Sequence, residues 1–297
     1  MAERGQFDRK WLAYVLAAPQ LLLMALFFYW PAGQALAWSI RFERPFGGSA
    51  AFAGLSNFTA LFRDSVFLDS LMTSALFTGC ATGISIGIAL ALAVAASRRL
   101  PRLHWLSGAF IWPYAVAAPA AGVIMELLLD SHIGLAAILN DWCPGIWSPV
   151  LNGTDAFLMV TVAFVWLHVP FNFVFLLAGL NAVPQSCLDA AAIDGAGPWR
   201  QLAGIRLPLL RPYLLFVLTL DVTESFTQSF GIIDATTQGG PGGATNILVY
   251  NIYSDGFVGL DFSRASAESV LMIAIMAIIL ILQFRWFDRQ GQGRAPA

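Results

Sequence analysis

Residues 11 to 40 contain no charged side chain. A membrane-spanning helix needs about 20 mostly apolar residues to cross the hydrocarbon core. A cleaved secretory signal has an apolar region of only about 7 to 15 residues, so this stretch is interpreted as a first membrane span, although basic residues precede it. Hydrophobic residues make up 58% of the 297-residue chain and charged residues 11%, whereas soluble domains carry roughly 25% charged residues. The sequence therefore predicts an all-α polytopic membrane protein.

Six apolar stretches of sufficient length predict six transmembrane helices in one domain, residues 1–297. The predicted spans are residues 12–36, 71–97, 105–129, 156–180, 213–233 and 265–287. Pro113 and Pro119 should kink or break the third span, because proline cannot donate a helical hydrogen bond. The fifth has the weakest signal, because Asp221 and Glu224 interrupt it.

The basic residues predict the orientation of these spans, since Lys and Arg concentrate in cytoplasmic connections. Twelve of the sixteen lie in the two termini and in the second and fourth connections: Arg4, Arg9, Lys10, Arg98, Arg99, Arg102, Arg200, Arg206, Arg211, Arg285, Arg289 and Arg294. Both termini are therefore predicted to be cytoplasmic.

Small residues and cysteines lead to two further expectations. Gly79, Gly83 and Gly87 form a stripe on one face of the second span, which predicts close approach of a neighbouring helix. Cys80, Cys143 and Cys187 lack metal-ligand spacing. We interpret them as isolated, mostly buried thiols without a disulfide framework.

A polar island, LDAAAIDGAGPWRQLAGIRLPLLRP, occupies residues 188–212 in the predicted second cytoplasmic loop. Ser186 and Asp189 have the spacing of a helix N-terminus, which predicts a short helix over about residues 187–193. Gly195 and Gly197 should make a tight reversal, after which Pro198 can begin a second helix. Two short helices with apolar residues need a cover, which in the simplest case is the lipid surface.

The island resembles the EAA loop of bacterial ABC-importer permeases, with Asp in place of the usual first Glu. The matching positions are Asp189, Ala190, Ala191, Asp194, Gly195, Ala196, Ile205, Leu207 and Pro208. The resemblance implies a type I ABC-importer permease fold, with residues 185–211 as a loop that couples the membrane helices to a cytoplasmic ATPase. The island also departs from the family pattern at Leu202 and Ala203, where the family often has Phe.

Other stretches, around residues 18–36, 112–124 and 239–270, are similar to the sugar-class permeases. Within that class the chain most resembles the A-type membrane subunits of sn-glycerol-3-phosphate importers. The resemblance implies a second related permease, an ATPase dimer and a periplasmic solute-binding protein as partners. It also implies that ATP is used by the ATPase, while this chain binds no cofactor, no metal and no nucleic acid.

Ionisable groups near mid-membrane are candidates for function, because they are costly when they face lipid. At ~1.5 Å per helical residue, His168, Asp221 and Glu224 come to similar depth, with Asn172 one turn from His168. These four residues either line a solute path or form a polar cluster between helices. Both interpretations remain open on the sequence, which places no Arg or Lys deep in any span to bind a phosphate.

Two other classes of function compete with an importer subunit. An intramembrane enzyme lacks support, since there is no His-Glu-x-x-His motif and no paired catalytic Asp on two spans. An ion-coupled carrier could use His168, Asp221 and Glu224 as a proton relay. The Gly-rich residues 237–245 lack the Lys of a phosphate-binding loop, and they predict a turn-rich external loop instead.

Overall fold

The computed structural model describes residues 10–42, 51–97 and 110–292. The helices in these residues are α1 Lys10–Met24, α2 Trp30–Ser39, α3 Ser56–Leu61, α4 Ser65–Ser97, α5 Ala118–Leu128, α6 Leu135–Trp142, α7 Gly153–Asn181, α8 Gln185–Ile193, α9 Pro198–Gln201, α10 Leu207–Thr227, α11 Ser229–Ala235, α12 Leu248–Tyr253 and α13 Phe262–Gln292. A two-stranded antiparallel hairpin joins β1 Arg41–Phe42 to β2 Ala51–Phe52.

Within the described residues, five helical segments are long and apolar enough to cross a membrane. They are Tyr14–Ser39, Ser65–Ser97, Gly153–Asn181, Pro198–Ala235 and Phe262–Phe287. They correspond to predicted spans one, two, four, five and six. The all-α polytopic architecture is thus confirmed.

The third predicted span is broken, as its prolines indicated. A 3₁₀ turn at Trp112–Ala115 is followed by the 11-residue helix α5, which begins at the residue before Pro119. Val116 and Ala117 between them are extended. Residues 105–109 of this predicted span, and the basic residues Arg98, Arg99 and Arg102 before it, lie outside the described residues.

Two of the wide π-helical turns stand just before a proline. Ala25–Tyr29 precedes Pro31, and Leu202–Arg206 precedes Pro208. Proline removes one backbone N–H and its ring clashes with the carbonyl four residues earlier. A π turn shifts the hydrogen bond to the fifth residue back, as in Leu207 N–H to the Leu202 carbonyl, and the helix continues past the proline.

The chain divides into two compact units. One contains the described residues up to Arg63 together with Ile252–Leu271, and the other contains Asp64–Asn251 with the described residues from Met272 onwards. In the first unit the Asn57 amide donates to the carbonyls of Ser39 and Arg41, at 2.8 and 3.0 Å, and so ties α3 to the hairpin. Arg264 there pairs with Asp255.

The second unit is built on the pairing of α4 with α7, which α10 joins. One apolar cluster contains Phe77, Ala81, Ala121, Met125, Val160, Ala163, Phe164, Leu167, Ile232, Ile233 and Ile247. A second cluster, nearer to residues 185–211, contains Ala89, Ala93, Leu176, Leu180, Leu210 and Val217. Alanines on α4 allow close helix approach in both clusters.

The expectation of mostly buried thiols is wrong, and the glycine stripe has no partner helix within the described residues. Gly79, Gly83 and Gly87 are exposed, and an added Cβ at any of them would meet no described atom within 4 Å. The stripe therefore does not pack against another helix of the described chain, because α4 uses its alanine and serine face instead. Cys80, Cys143 and Cys187 are all exposed rather than buried.

Candidate functional site

Residues 185–211 begin as a helix on the side of the membrane where α7 ends. The helix α8 starts at Gln185, two residues before the predicted start, with Pro184 as its N-cap and no side-chain cap. The predicted short helix is thus present, but Ser186 does not cap it. Gln185 donates its amide to the Asp189 carboxylate at 3.0 Å instead.

Gly195 makes the predicted reversal at the end of α8. Its φ of +75° lies in the left-handed region that favours glycine. The Ala196 N–H donates to the Ala191 carbonyl at 2.8 Å, which closes the end of the helix. Gly197, by contrast, has φ −64° and ψ 168°, so the conformational freedom predicted for it is not used.

The second short helix is not separate from the fifth span. Pro198 occupies the first turn of α9, as predicted, and the chain then passes through the π turn Leu202–Arg206 directly into α10. Arg206 Nη1 donates to Ser97 Oγ at the end of α4, at 3.3 Å. Helical backbone thus connects residues 198–227 without a break.

The surface of residues 185–211 has a groove with an apolar rim. A cavity of 480 Å³ is lined by Ala191, Asp194, Ala196, Arg200, Ala203, Gly204 and Ile205. Ile193 and Trp199, which neighbour the lining residues Asp194 and Arg200 in the sequence, are 87% and 76% exposed. Large apolar side chains at this exposure are typical of a surface that meets another protein or a membrane.

The groove brings together motif residues that lie far apart in the sequence. Ala191, Asp194, Ala196 and Ile205 line it, whereas Asp189 and Ala190 are exposed on α8. Leu207 and Pro208 lie in the first turn of α10. Arg200 and Gly204 were not predicted to belong to the site, since only the fold of the turn brings them to the groove.

The mid-membrane residues form two separate groups in the second unit. In the first, His168 Nδ1 donates to the Phe164 carbonyl at 2.8 Å, because a carbonyl can only accept. His168 Nε2 lies 2.6 Å from Glu224 Oε2, so one proton is shared between imidazole and carboxyl. The Tyr114 hydroxyl approaches Glu224 Oε1 at 3.4 Å.

The second group is sealed between α4, α7 and α10. The Asn172 side-chain amide donates to Ser85 Oγ at 2.9 Å and to Asp221 Oδ2 at 2.7 Å. Ser85 and Asn172 have no exposed surface, and Asp221 has 1%. Asp221 and Asn172 therefore contribute hydrogen bonds between helices, and they do not reach an open surface of the described chain.

The first group borders a cavity between described residues. A 290 Å³ cavity is lined by Tyr114, Val116, Ala117, Ala118, Leu167, His168, Glu224 and Gln228. The Glu224 side chain is 23% exposed, against 5% for His168. The carboxyl end of the pair therefore forms the polar wall, together with Tyr114 and Gln228. Neither Tyr114 nor Gln228 was predicted as a site residue. Tyr114 does lie next to Pro113, where the third predicted span is broken.

Ser85 has a spacing that the sequence interpretation overlooked. Residues 83–87 read Gly-Ile-Ser-Ile-Gly, which matches the Gly-x-Ser-x-Gly pattern of serine hydrolases. That pattern is a nucleophile site only on a sharp strand-to-helix turn. Ser85 lies in the middle of the 33-residue helix α4 and is fully buried. The geometry therefore gives the pattern no catalytic role.

Comparison with known proteins gives close relatives over almost the full chain. The sn-glycerol-3-phosphate transport system permease protein UgpA of Yersinia pestis bv. Antiqua (strain Antiqua) is 39% identical over 287 residues, covering 97% of both chains. The protein of the same name from Rhizobium meliloti (strain 1021) is 39% identical over 97% of this chain and 98% of its own. These relatives confirm the resemblance of the chain to permeases of this class.

The fold has a solved counterpart in a bacterial ABC transporter involved in the import of the acidic polysaccharide alginate. That chain superposes with a TM-score of 0.79 at 17% identity, covering 95% of this chain and 97% of its own. The family model described as binding-protein-dependent transport system inner membrane component matches residues 12–290. The chain therefore belongs to this family of transporter subunits of the bacterial inner membrane.

Proposed function

We propose that this chain is the membrane-spanning permease subunit of an ATP-driven, binding-protein-dependent importer that carries sn-glycerol-3-phosphate into the cytoplasm. The observation that carries the proposal is the 39% identity to the UgpA permeases across 97% of both chains. A second related permease, an ATPase dimer and a periplasmic solute-binding protein complete the importer. ATP is hydrolysed by the ATPase, and this chain binds no cofactor.

Residues 185–211, hereafter the coupling segment, are the part of the chain that docks on the ATPase. The groove formed by Ala191, Asp194, Ala196 and Ile205, with Ile193 and Trp199 beside it, supports this role. Because α9 leads directly into α10, a displacement of the docked segment is passed to the fifth span through continuous helix.

The cavity beside Glu224 is the part of the solute path that this chain contributes. Tyr114, Gln228 and Glu224 offer hydrogen-bonding groups suited to the hydroxyls of a polyol. None of the described residues that line this cavity is Lys or Arg, so the proposal assigns charge recognition of the phosphate to another part of the importer. For the same reason an uncharged polyol is the second candidate solute.

An uptake experiment tests the proposed function. Cells that express this chain with its neighbouring genes should accumulate radiolabelled sn-glycerol-3-phosphate in preference to glycerol and to disaccharides. The chain reconstituted alone should transport none of them, because it needs the ATPase. Transport by the isolated chain would establish a carrier instead, and uptake restricted to uncharged polyols would change the solute.

Cysteine labelling in intact cells tests the orientation. A chain in which Cys187 is the only cysteine should be protected from a membrane-impermeant thiol reagent, because α8 lies on the predicted cytoplasmic side. A chain whose only cysteine is introduced by His132→Cys should react, since residue 132 is exposed at the opposite end of α7. The reverse pattern would overturn the orientation and the coupling role together.

A further inference from the structure

The helix α6, between the third and fourth predicted spans, carries its apolar face away from the protein. Leu135, Ile138, Leu139 and Trp142 lie at positions i, i+3, i+4 and i+7 and are 57% to 84% exposed. We call these four residues the outward face. A surface helix of a soluble domain directs such a stripe toward the core, so α6 is built for a different environment.

The opposite side of α6 is fixed to the chain. Ala136 is buried, and the Asn140 amide donates to the Ser131 and Trp147 carbonyls, at 3.2 and 2.8 Å. The Trp147 indole N–H donates to the Leu129 carbonyl near the end of α5, at 2.7 Å. These bonds hold the loop in one arrangement, so the outward face is a persistent surface of the second unit.

The apolar surface extends beyond the helix and continues into the span that follows. The same loop exposes four more large apolar side chains, namely Ile133, Ile146, Val150 and Leu151. Leu158 and Val162, in the first turns of α7, are 45% and 46% exposed. Continuity with a membrane-crossing helix indicates that the same apolar medium covers both.

The charges in residues 130–152 indicate how this surface is covered. They include Asp130 and Asp141 but no Lys or Arg. Backbone N–H groups of His132 and Ile133 donate to Asp130 and hold the pKa of its carboxyl below the ordinary value. A carboxylate is costly inside the hydrocarbon core, so we expect Asp130 to lie at an aqueous edge of this surface. Without Lys or Arg in this loop, attraction to anionic head groups contributes little, and the contact with the membrane is mainly through acyl chains.

We propose that the outward face of α6 is an interfacial membrane anchor, which lies in the lipid leaflet on the side opposite the coupling segment. A soluble partner that docks only intermittently would leave this apolar surface in water between encounters, which is unfavourable. The proposal does not depend on which solute the chain carries.

Spin labelling of the assembled importer tests the anchor. Ile138→Cys is introduced into a chain with Cys80→Ser, Cys143→Ser and Cys187→Ser, labelled with a nitroxide, and reconstituted in phosphatidylethanolamine–phosphatidylglycerol vesicles. Oxygen, which partitions into lipid, should broaden the electron paramagnetic resonance spectrum of the nitroxide at residue 138. A water-soluble nickel complex should not broaden it. The ratio of broadening by oxygen to broadening by the nickel complex should be several-fold higher than for the matched control His132→Cys. This ratio should not change when phosphatidylglycerol is left out of the vesicles.

Two outcomes would overturn the proposal. Strong broadening by the nickel complex at residue 138 would place the outward face in water. Weak broadening by both reagents would place it under another protein chain, such as the second permease. Should Ile138→Cys fail to assemble, Trp142→Cys samples the same face, and the same two outcomes decide.

Discussion

Replacing Gly195 with Val should abolish most solute uptake while leaving the chain in the membrane. Gly195 holds φ +75° at the end of α8, and a left-handed conformation costs a non-glycine residue about 1–2 kcal/mol, with β-branched side chains at the upper end. An added Cβ meets no described atom within 4 Å, so the damage is confined to the turn. This strain free energy disfavours the turn that the docked arrangement needs. The fraction of chains that can dock on the ATPase, and uptake with it, should therefore fall roughly tenfold or more.

The chain offers a matched control two residues away. Gly197→Ala should transport normally, because Gly197 has an ordinary φ of −64° and open space around it. Gly195→Asn should be intermediate, since Asn tolerates the left-handed region better than Val. The measurements are membrane abundance, co-purification of the ATPase and uptake. Full uptake by Gly195→Val would show that coupling does not require this turn.

Removing the carboxylate of Glu224 should change which solutes pass. Glu224→Gln keeps the size of the side chain but removes the negative end of the His168–Glu224 pair from the cavity wall. By the sign of the Coulomb interaction, uptake of sn-glycerol-3-phosphate should rise relative to uptake of glycerol, by several-fold. The measurement is the uptake ratio of the two solutes, with solute-stimulated ATP hydrolysis recorded in the same complex.

Asp221→Asn is the matched comparison, one helical turn from Glu224. Asp221 is sealed from the cavity, and an Asn can still accept from Asn172, so the uptake ratio should not change. Its effect should be a small loss of assembled complex, since hydrogen bonds between helices in membranes average about 0.6 kcal/mol. If Glu224→Gln leaves both uptake and the uptake ratio unchanged, Glu224, like Asp221, contributes only contacts between helices and does not contact solute.

The sequence predicted the spans well because lipid imposes a long, charge-free pattern that can be read without tertiary contacts. The break at Pro113 and Pro119 followed from the chemistry of proline in the same way. Helix ends were less certain: the fifth span was predicted to begin at residue 213, separate from the short helix that begins at Pro198. The π turn Leu202–Arg206 instead carries the helix past Pro208, and Pro212 lies inside α10.

The sequence predicted only part of the candidate site, because it indicates depth along a span but not the direction of each side chain. Depth along the spans correctly placed His168, Asn172, Asp221 and Glu224 near one level, but depth does not determine the direction in which a side chain points. The rotation of α7 and α10 directs Glu224 to the cavity and Asp221 to the interior. Tyr114 and Gln228 were missed because neither is charged, and only the fold brings them beside Glu224.

The unbroken helix from the coupling segment through the fifth span has a mechanical consequence. Glu224 lies about 39 Å along this helix from Pro198. A rod of that length acts as a lever: pivoted near its cytoplasmic end, a tilt of about 10° would carry Glu224 sideways by about 7 Å. A displacement of that order is comparable with the dimensions of a small polyol. Angular change at the membrane surface could then open or close the wall of the cavity without unwinding any turn of α10.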